Sequence, residues 1–146
     1  MKILEISDSI SQGVAREIET IFFEAFGTKT DSDFLARVNE KHKLLVTLAY
    51  MDDSLIGFKL GYEKHRGTFF TWLGAVSPKH QRMGIARALL HQQHASCKSA
   101  GYEEIQTHTS GANSDMLILN LQEGFTIFGA HLGRNDEMTV QLRKQL

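Results

Sequence analysis

The sequence is poor in the two residue types that constrain a chain most, with one cysteine and one proline among 146 residues. The lone Cys97 excludes an internal disulfide and a zinc site built from several cysteines, so we expect a reducing cytoplasm. No apolar run reaches the roughly 20 residues that a membrane-spanning helix needs. The opening residues Met1–Ile6 lack the cleavable apolar core of a signal peptide and predict a first strand instead.

An excess of charge of one sign is also missing, because the formal net charge is −1 at pH 7. This balance disfavours nucleic acid as a partner, since neutralising phosphates requires a basic excess. The 42% hydrophobic and 23% charged residues are ordinary for a water-soluble globule and predict no membrane partner. Without an internal repeat or a linker, we expect one domain over residues 1–146, with about two-thirds of its unfolded surface buried.

Periodicity predicts the order of helices and strands. Apolar residues at helical spacing predict helices over 11–26, 34–38, 84–99 and 113–123. Alternating or β-branched segments predict strands over 1–6, 44–50, 55–63, 68–76, 105–109, 125–132 and 138–142. Short turns between the second, third and fourth strands predict an antiparallel meander, and the helix after the meander predicts a parallel neighbour for the next strand. The order β-α-α-β-β-β-α-β-α-β-β indicates an α/β (α+β) fold with helices against a mixed sheet.

The clearest candidate site is the segment Leu73–Ala86, in which a strand, a proline, a basic loop, a glycine and a helix follow one another. Pro78 has no N–H group, so sheet pairing should stop there. The first N–H groups of the following helix then lack partners, and together with the helix dipole they form a site for a phosphate or pyrophosphate. Gly84 permits close backbone approach, and three basic side chains surround the mouth: Lys79, Arg82 and Arg87.

Two common phosphate-binding motifs do not match this segment. A P-loop requires Gly-Lys-Ser/Thr, which the sequence lacks. The dinucleotide fingerprint requires three glycines, but only Gly84 is present, and Ala86 and Leu89 occupy the other two positions. A meander before the loop is also wrong for a doubly wound sheet. The segment therefore predicts that a nucleotide-like anion binds in a fold other than that of P-loop or dinucleotide-binding proteins.

The segment resembles the GNAT superfamily of N-acetyltransferases. Its pattern Gln/Arg-x-x-Gly-x-Gly/Ala is met by Gln81, Gly84 and Ala86, and a Val-x-Pro precedes it at the right offset. A later block, with Asn113, Met116 and Gly124-Phe125, resembles the family's next helix and its Gly-Phe ending. The resemblance covers nearly the whole chain. It implies the GNAT fold, a mostly antiparallel sheet of about six to seven strands, with acetyl-CoA as co-substrate and no metal.

The resemblance also implies how the donor binds. Two parallel strands would splay apart and take the pantetheine arm of acetyl-CoA between them. Main-chain groups of Ala75 and Val76 would contact that arm and the acetyl carbonyl, and an N–H near Val76 would stabilise the oxyanion. Arg87 would lie near the pyrophosphate, and Asn113 matches an asparagine close to the cofactor. Backbone N–H groups of the loop would hold the pyrophosphate: Gln81, Arg82, Met83, Gly84, Ile85 and Ala86.

One position departs from the family pattern. Many members carry a tyrosine four residues before the glycine of Gly-Phe, as the general acid for the departing thiolate, and Asn120 stands there in this chain. An amide cannot transfer a proton. A thiol with a pKa of ~8.5 leaves as thiolate only ~1.5 units above neutral pH, a penalty of about 2 kcal/mol, so acetyl transfer to a primary amine of a small molecule or peptide is retained. The alternative is a CoA-binding sensor or degenerate acyltransferase-like module without turnover.

Transfer also requires a base, because an amine with a pKa of ~10.4 is mostly protonated at pH 7. Glu63, His108 and Glu104 lie on predicted strands and are the candidates, with solvent-facing polar residues as the alternative interpretation. Trp72 and Tyr62 line either the acceptor pocket or the sheet core. The resemblance leaves a homodimer open.

The seven histidines suggest a metal site, and His91 and His94 are three residues apart on a predicted helix. No third ligand follows at a recognisable spacing, so we predict no metal and a solvated helix face for both residues.

Overall fold

The computed structural model of the protein describes residues 1–133 and 136–146. Its central element is a seven-stranded sheet in the order β1-β2-β3-β4-β5-β7-β6. The strands are β1 (Lys2–Ser7), β2 (Leu45–Met51), β3 (Ser54–His65), β4 (Thr68–Val76), β5 (Glu104–Ser110), β6 (Thr126–Leu132) and β7 (Met138–Gln145). The helices are α1 (Gln12–Phe26), α2 (Phe34–Asn39), α3 (Ile85–Ser99) and α4 (Ser114–Gln122), with a 3-10 helix at Pro78–His80.

The predicted order of elements is confirmed, including the antiparallel meander β2–β3–β4 and the parallel neighbour of β5. The sheet is mixed and mostly antiparallel, since β4–β5 is parallel and the other paired strands run antiparallel. The 3-10 helix and the insertion of β7 between β5 and β6 were not predicted. In the described part of the chain, no helix has the length and apolarity that crossing a membrane requires.

Two layers of helices cover the sheet. Helices α1 and α2 pack on one face, where Ile18 and Val38 meet Phe58 and Leu60. Helices α3 and α4 pack on the other face over Phe69, Ile105 and Leu142. The side chain of Ser11 caps α1 by accepting the Val14 N–H at 3.2 Å. Cys97 of α3 is buried in the second layer, and burial raises its thiol pKa to about 12.

The parallel strands β4 and β5 stay together for only four residue pairs, from Thr68–Glu104 to Thr71–Thr107. Past that point β4 remains paired with β3, and β5 with β7. A β-bulge lies where the strands part, because Leu60 faces Leu73 while Gly61 faces Thr71, which leaves Trp72 as the extra residue. A bulge bends its strand and increases the local twist. We call the resulting gap, between 72–76 of β4 and 108–110 of β5, the fork.

Candidate functional site

The segment between β4 and α3 presents a row of free backbone donors. The Ser77 N–H still donates to the Ile56 carbonyl at 2.8 Å, and the first bond of α3 runs from the Ala88 N–H to the Gly84 carbonyl at 3.0 Å. Between them, no N–H of residues 81–87 donates to an acceptor within the described chain. We call residues 81–87 the cradle. Free donors at a helix N-terminus are what an anion such as pyrophosphate requires.

The backbone conformation of the cradle alternates between positive and negative φ angles. Arg82 has φ 64° and Gly84 has φ 81°, both in the left-handed region. Such alternation turns successive N–H groups towards one side and forms an anion-binding concavity. A Cβ atom added at Gly84 would meet no atom within 4 Å, so the space beside the glycine is open. Among the residues that the structure describes, no side chain caps α3 at Gly84. The cradle therefore has the free N–H donors, the concave shape and the open space that a phosphate group requires.

The basic side chains of the cradle turn towards α4. Arg82 pairs with Asp115 at 3.1 Å. Arg87 donates to Gln122 at 2.8 Å and pairs with Glu123 at 3.1 Å. Glu123 also meets His91 at 2.7 Å, and its carboxyl pKa is lowered by that hydrogen bond and by the charges of His91 and Arg87. Arg87, expected near the pyrophosphate, is thus engaged at the end of α4, and both arginines connect the cradle to α4.

The β4 side of the fork offers an unpaired strand edge. Ala75 faces Phe58 and Val76 faces Gly57 on β3, and in the described chain no strand pairs with the opposite edge of either residue. The Val76 carbonyl accepts a hydrogen bond from Gln81 Nε2 at 3.2 Å, which fixes the cradle against the strand end. The two predicted donor-binding segments, 75–76 and 81–86, therefore adjoin, and an extended ligand can pair with β4 while its anionic end reaches the cradle.

The β5 side of the fork is supported by α4. Asn113 caps this helix, with its Oδ1 accepting the Met116 N–H at 3.2 Å. Asn120 is only 1% exposed, and its Nδ2 donates to Thr109 Oγ1 of β5 at 3.3 Å. The residue at the family's tyrosine position is therefore a buried support for β5. The sequence did not indicate this contact, because it depends on which face of α4 meets the sheet.

The candidate bases separate in space. His108 is the first β5 residue past the last parallel pair, with its ring 4.9 Å from Phe70 and 5.7 Å from His131. Partial burial, then the charges of His131 and Lys64, lower the pKa of His108. Glu104 pairs with Thr68, and Glu63 lies opposite Phe69, at the closed end of the fork.

Glu63 has other partners at that closed end. Its carboxylate lies 3.1 Å from His42 Nε2 and 3.7 Å from Lys43 Nζ, and its side chain is largely covered. Of the three candidates the structure therefore brings His108 alone to the point where β4 and β5 part.

An aromatic wall borders the fork on the face of α1 and α2. The rings of Tyr62 and Trp72 meet edge to face at 6.2 Å, and Tyr62 and Phe70 are 5.7 Å apart. Lys41 Nζ lies 4.7 Å from the Trp72 ring and 4.9 Å from the Tyr62 ring. The two aromatic residues named from the sequence thus adjoin His108 through Phe70. We call Tyr62, Phe70, Trp72 and His108 the acceptor wall.

The expectation of a solvated helix face is wrong for one of the two α3 histidines. His94 is 8% exposed and packs 5.5 Å from the Phe125 ring, whereas His91 is exposed. The reason is helical spacing: His94 lies four residues after Leu90 and three before Cys97, on the buried stripe. Among residues 1–133 and 136–146, no three acidic, histidine or cysteine side chains are grouped to hold a metal ion.

The chain is similar to known acetyltransferases in sequence pattern and in fold. The model of the acetyltransferase (GNAT) family matches residues 12–119. The ribosomal-protein-S18-alanine N-acetyltransferase from Escherichia coli superposes with a TM-score of 0.82 at 15% identity, over 97% of this chain and 94% of its own. Ard1 from Thermoplasma volcanium gives 0.83 at 14% identity, over 97% of both chains.

An aminoglycoside 6'-N-acetyltransferase complexed with coenzyme A gives a TM-score of 0.82 at 13% identity, over 99% of this chain and 97% of its own. No curated protein matches the chain in sequence. Identities this low establish a shared fold, and the family itself rests on the match over residues 12–119.

Proposed function

The chain belongs to the GNAT family of N-acetyltransferases, and on that premise we propose that it transfers the acetyl group of acetyl-CoA to a primary amine that also carries an anionic group. Acetyl-CoA fits as the co-substrate. The observation that carries the proposal is the cradle, whose seven N–H groups have no acceptor among residues 1–133 and 136–146 and adjoin a strand edge that no described strand pairs with. This combination suits a ligand with a pyrophosphate at one end and an amide-containing arm.

The donor would be held by main-chain groups. Backbone N–H groups of residues 81–86 are placed to bind the pyrophosphate, and the free edge of Ala75 and Val76 is placed to pair with the pantetheine arm. An N–H at that edge, fixed before reaction, would stabilise the negative charge that develops on the acetyl oxygen. Asn113 caps α4 and so acts on the site through the position of that helix.

The acceptor amine would approach along the acceptor wall, with His108 as base. His108 lies at the parting of β4 and β5, and its lowered pKa keeps the imidazole neutral at pH 7. A neutral imidazole accepts a proton as the amine nitrogen bonds to the acetyl carbon. Glu63 is engaged with His42 and Lys43 at the other end of β4, so we assign it no part in the transfer.

The anionic group of the acceptor is inferred from the charges beside the acceptor wall. Lys41 Nζ lies over Trp72 and Tyr62, and Lys64 Nζ lies 5.8 Å from the Phe70 ring and donates to Gln106. Within the described chain neither lysine forms an ion pair. A carboxylate or phosphate close to the acceptor amine would supply the missing partner.

The test uses acceptors in matched pairs, each an amine with and without a carboxylate, such as an amino acid and its amide. Release of CoA thiol and the mass of the acetylated product are followed together. We expect the anionic member of a pair to react with the higher kcat/KM, and Lys41→Met to reduce that preference. Equal rates within every pair would contradict the anionic acceptor and leave acetyl transfer in place.

A pair of glycine variants tests the cradle. Gly84 and Gly27 both have positive φ, 81° and 71°, and a Cβ atom added at either would meet no atom within 4 Å. Gly84→Val and Gly27→Val therefore carry comparable backbone strain, but only the first places a branched side chain beside the free N–H groups. We expect at least about tenfold weaker acetyl-CoA binding for Gly84→Val alone. Equal affinity for acetyl-CoA in both variants and the wild type would mean that the pyrophosphate does not bind at the cradle.

A second function, a CoA-binding sensor without turnover, is favoured by one observation. Asn120 is buried against Thr109 and cannot transfer a proton. Acetyl-CoA binding that is lost in Gly84→Val, together with no product from any amine, would identify the sensor.

A further inference from the structure

Lys59 of β3 is a buried cation that the donor site described so far does not use, and we propose that its ammonium protonates the CoA thiolate as it leaves. The inference rests on the proposed function, because it assumes that the thioester lies in the fork. It would supply the proton that Asn120 cannot give.

The side chain of Lys59 reaches towards the fork. Lys59 lies opposite Gly74 of β4, which is three residues past the last residue of β4 paired with β5. Lys59 Cγ and Nζ lie 3.5 Å and 3.7 Å from the point that a Cβ on Gly74 would occupy. The lysine side chain therefore lies over Gly74, where the missing side chain leaves room for it, and its ammonium sits beside the open stretch of β4.

Lys59 and Asn120 lie on the same face of the sheet, on opposite sides of the fork. A Cβ on Gly57, two residues before Lys59, would meet Ile85 and Leu89 of α3 at 3.3 Å, which identifies the face. Asn120 belongs to α4, which packs on that face as well, and it contacts β5. A sulfur atom in the fork would thus have the ammonium over β4 and the amide over β5.

The ammonium is buried without a counter-charge. Lys59 is 8% exposed, and among the described residues it forms no ion pair. An unpaired buried charge costs several kcal/mol. Thr47 of β2 faces Lys59, and among the described residues its buried Oγ1 has no hydrogen-bond partner. A folded chain that retains such a charge at this place has a site prepared for an anion.

The protonation states suit a proton donor. Burial lowers the pKa of Lys59 to about 8, close to the ~8.5 of a free thiol. The titratable group facing it from α3 is His94, whose pKa of about 3 leaves it neutral at pH 7. Lys144 of β7 lies beyond His94, 3.4 Å from its Nδ1. At neutral pH the lysine is thus mostly charged, and transfer to a thiolate is nearly balanced in free energy.

The step conserves atoms and electrons. The acceptor nitrogen bonds to the acetyl carbon, and the carbon–sulfur bond breaks with its electron pair on sulfur. Sulfur takes a proton from Lys59 Nζ, which gives the CoA thiol and a neutral amine on Lys59. The acceptor nitrogen loses its extra proton to His108, which releases it to solvent, and solvent restores the proton of Lys59. The products are an N-acetylated acceptor and CoA.

The experiment titrates the thiol of bound CoA and needs no acceptor. Thiolate absorbance at 240 nm is recorded against pH for CoA bound to the wild type, Lys59→Met and Lys144→Met, with the free-protein spectra subtracted. The only cysteine, Cys97, has a pKa of about 12 and stays silent. A nearby ammonium lowers a thiol pKa by roughly 1–3 units. We expect thiolate to appear at least one unit lower in the wild type and Lys144→Met than in Lys59→Met.

Folding and binding are controlled separately. Replacing an unpaired buried ammonium by methionine should leave the melting temperature unchanged or raise it. We expect Lys59→Met to lower kcat by at least about tenfold while CoA affinity changes little. The same thiol titration in the wild type and Lys59→Met would overturn the role of Lys59. No CoA binding to the wild type would instead overturn the proposed function.

Discussion

His108 shows how the site depends on one residue at the parting of two strands. Its pKa is lowered by partial burial and by the charges of His131 and Lys64. As a base it is active when neutral, so kcat/KM should rise with pH through a midpoint below 6.5. We expect His108→Asn to lower kcat/KM by about 10²-fold and to remove this limb of the pH profile.

His131→Asn is the matched control, because its ring lies 5.7 Å from His108 and its charge lowers the His108 pKa. Its removal should keep the limb but move the midpoint to higher pH. A limb that survives unchanged in His108→Asn would assign the base to another group.

His94 links stability to pH from within the core. Its pKa falls from 6.5 to about 3, mainly because burial disfavours the charged ring and then because Lys144 and Lys59 are near. Unfolding therefore takes up a proton between these values. The free energy of unfolding should be insensitive to this group above pH 6.5, and should fall by up to about 1.4 kcal/mol per pH unit below it.

Urea titrations between pH 7 and pH 4 measure this slope. His94→Leu should flatten this slope by the contribution of one proton. A wild-type slope in His94→Leu would show that the proton is taken up elsewhere.

Among elements, the bulged strand β4 depends on the glycine opposite its bulge. A Cβ on Gly61 would lie 2.3 Å from the Phe70 carbonyl oxygen and 2.6 Å from the Phe69 ring. Gly61→Ala should therefore lower the free energy of unfolding by about 1–3 kcal/mol, measured by urea denaturation. Gly13→Ala is the control, since its Cβ would meet only Ser11 Oγ at 3.8 Å near the start of α1. We expect that variant to be as stable as the wild type or more so.

Equal stability of Gly61→Ala and the wild type would mean that the bulge accommodates a methyl group, and the fork would then not require this glycine. If instead the bulge positions the edge of Ala75 and Val76, acetyl-CoA affinity should fall with stability in Gly61→Ala and stay constant in Gly13→Ala.

The elements that the sequence predicted are those marked by local chemistry. Pro78 ends the pairing of β4, and the left-handed Gly84 begins α3. The bulge at Trp72 could not be predicted, because it depends on the register of β3 against β4. The burial of His94 was available from helical spacing and was missed because a histidine suggested solvent.

At the scale of the whole molecule, contacts between residues far apart in the sequence determine the side-chain roles that the sequence could not predict. Arg87 carries the charge that the cradle suggested, yet it pairs with Glu123, which is 36 residues away in the sequence. Asn120 and Lys59 derive their importance from partners on other elements, Thr109 and Gly74. Donor binding depends on backbone N–H groups that local motifs specify, and it was therefore the part of the site most open to prediction. The base, the acid and the acceptor contacts depend on tertiary packing.

The sheet as a whole consists of β1–β4 on one side of the fork and β5–β7–β6 on the other, joined directly by the four parallel pairs that end at Thr71–Thr107. A ligand that pairs with β4 and spans the gap should stabilise both sides together. At 100 times its dissociation constant, acetyl-CoA should add about 2.7 kcal/mol to the free energy of unfolding, or roughly 5–11 °C in melting temperature. Hydrogen exchange should slow at residues 72–76 and at 81–87. A nucleotide without the pantetheine arm should protect the cradle alone, and equal protection of 72–76 by that nucleotide would contradict insertion of the arm into the fork.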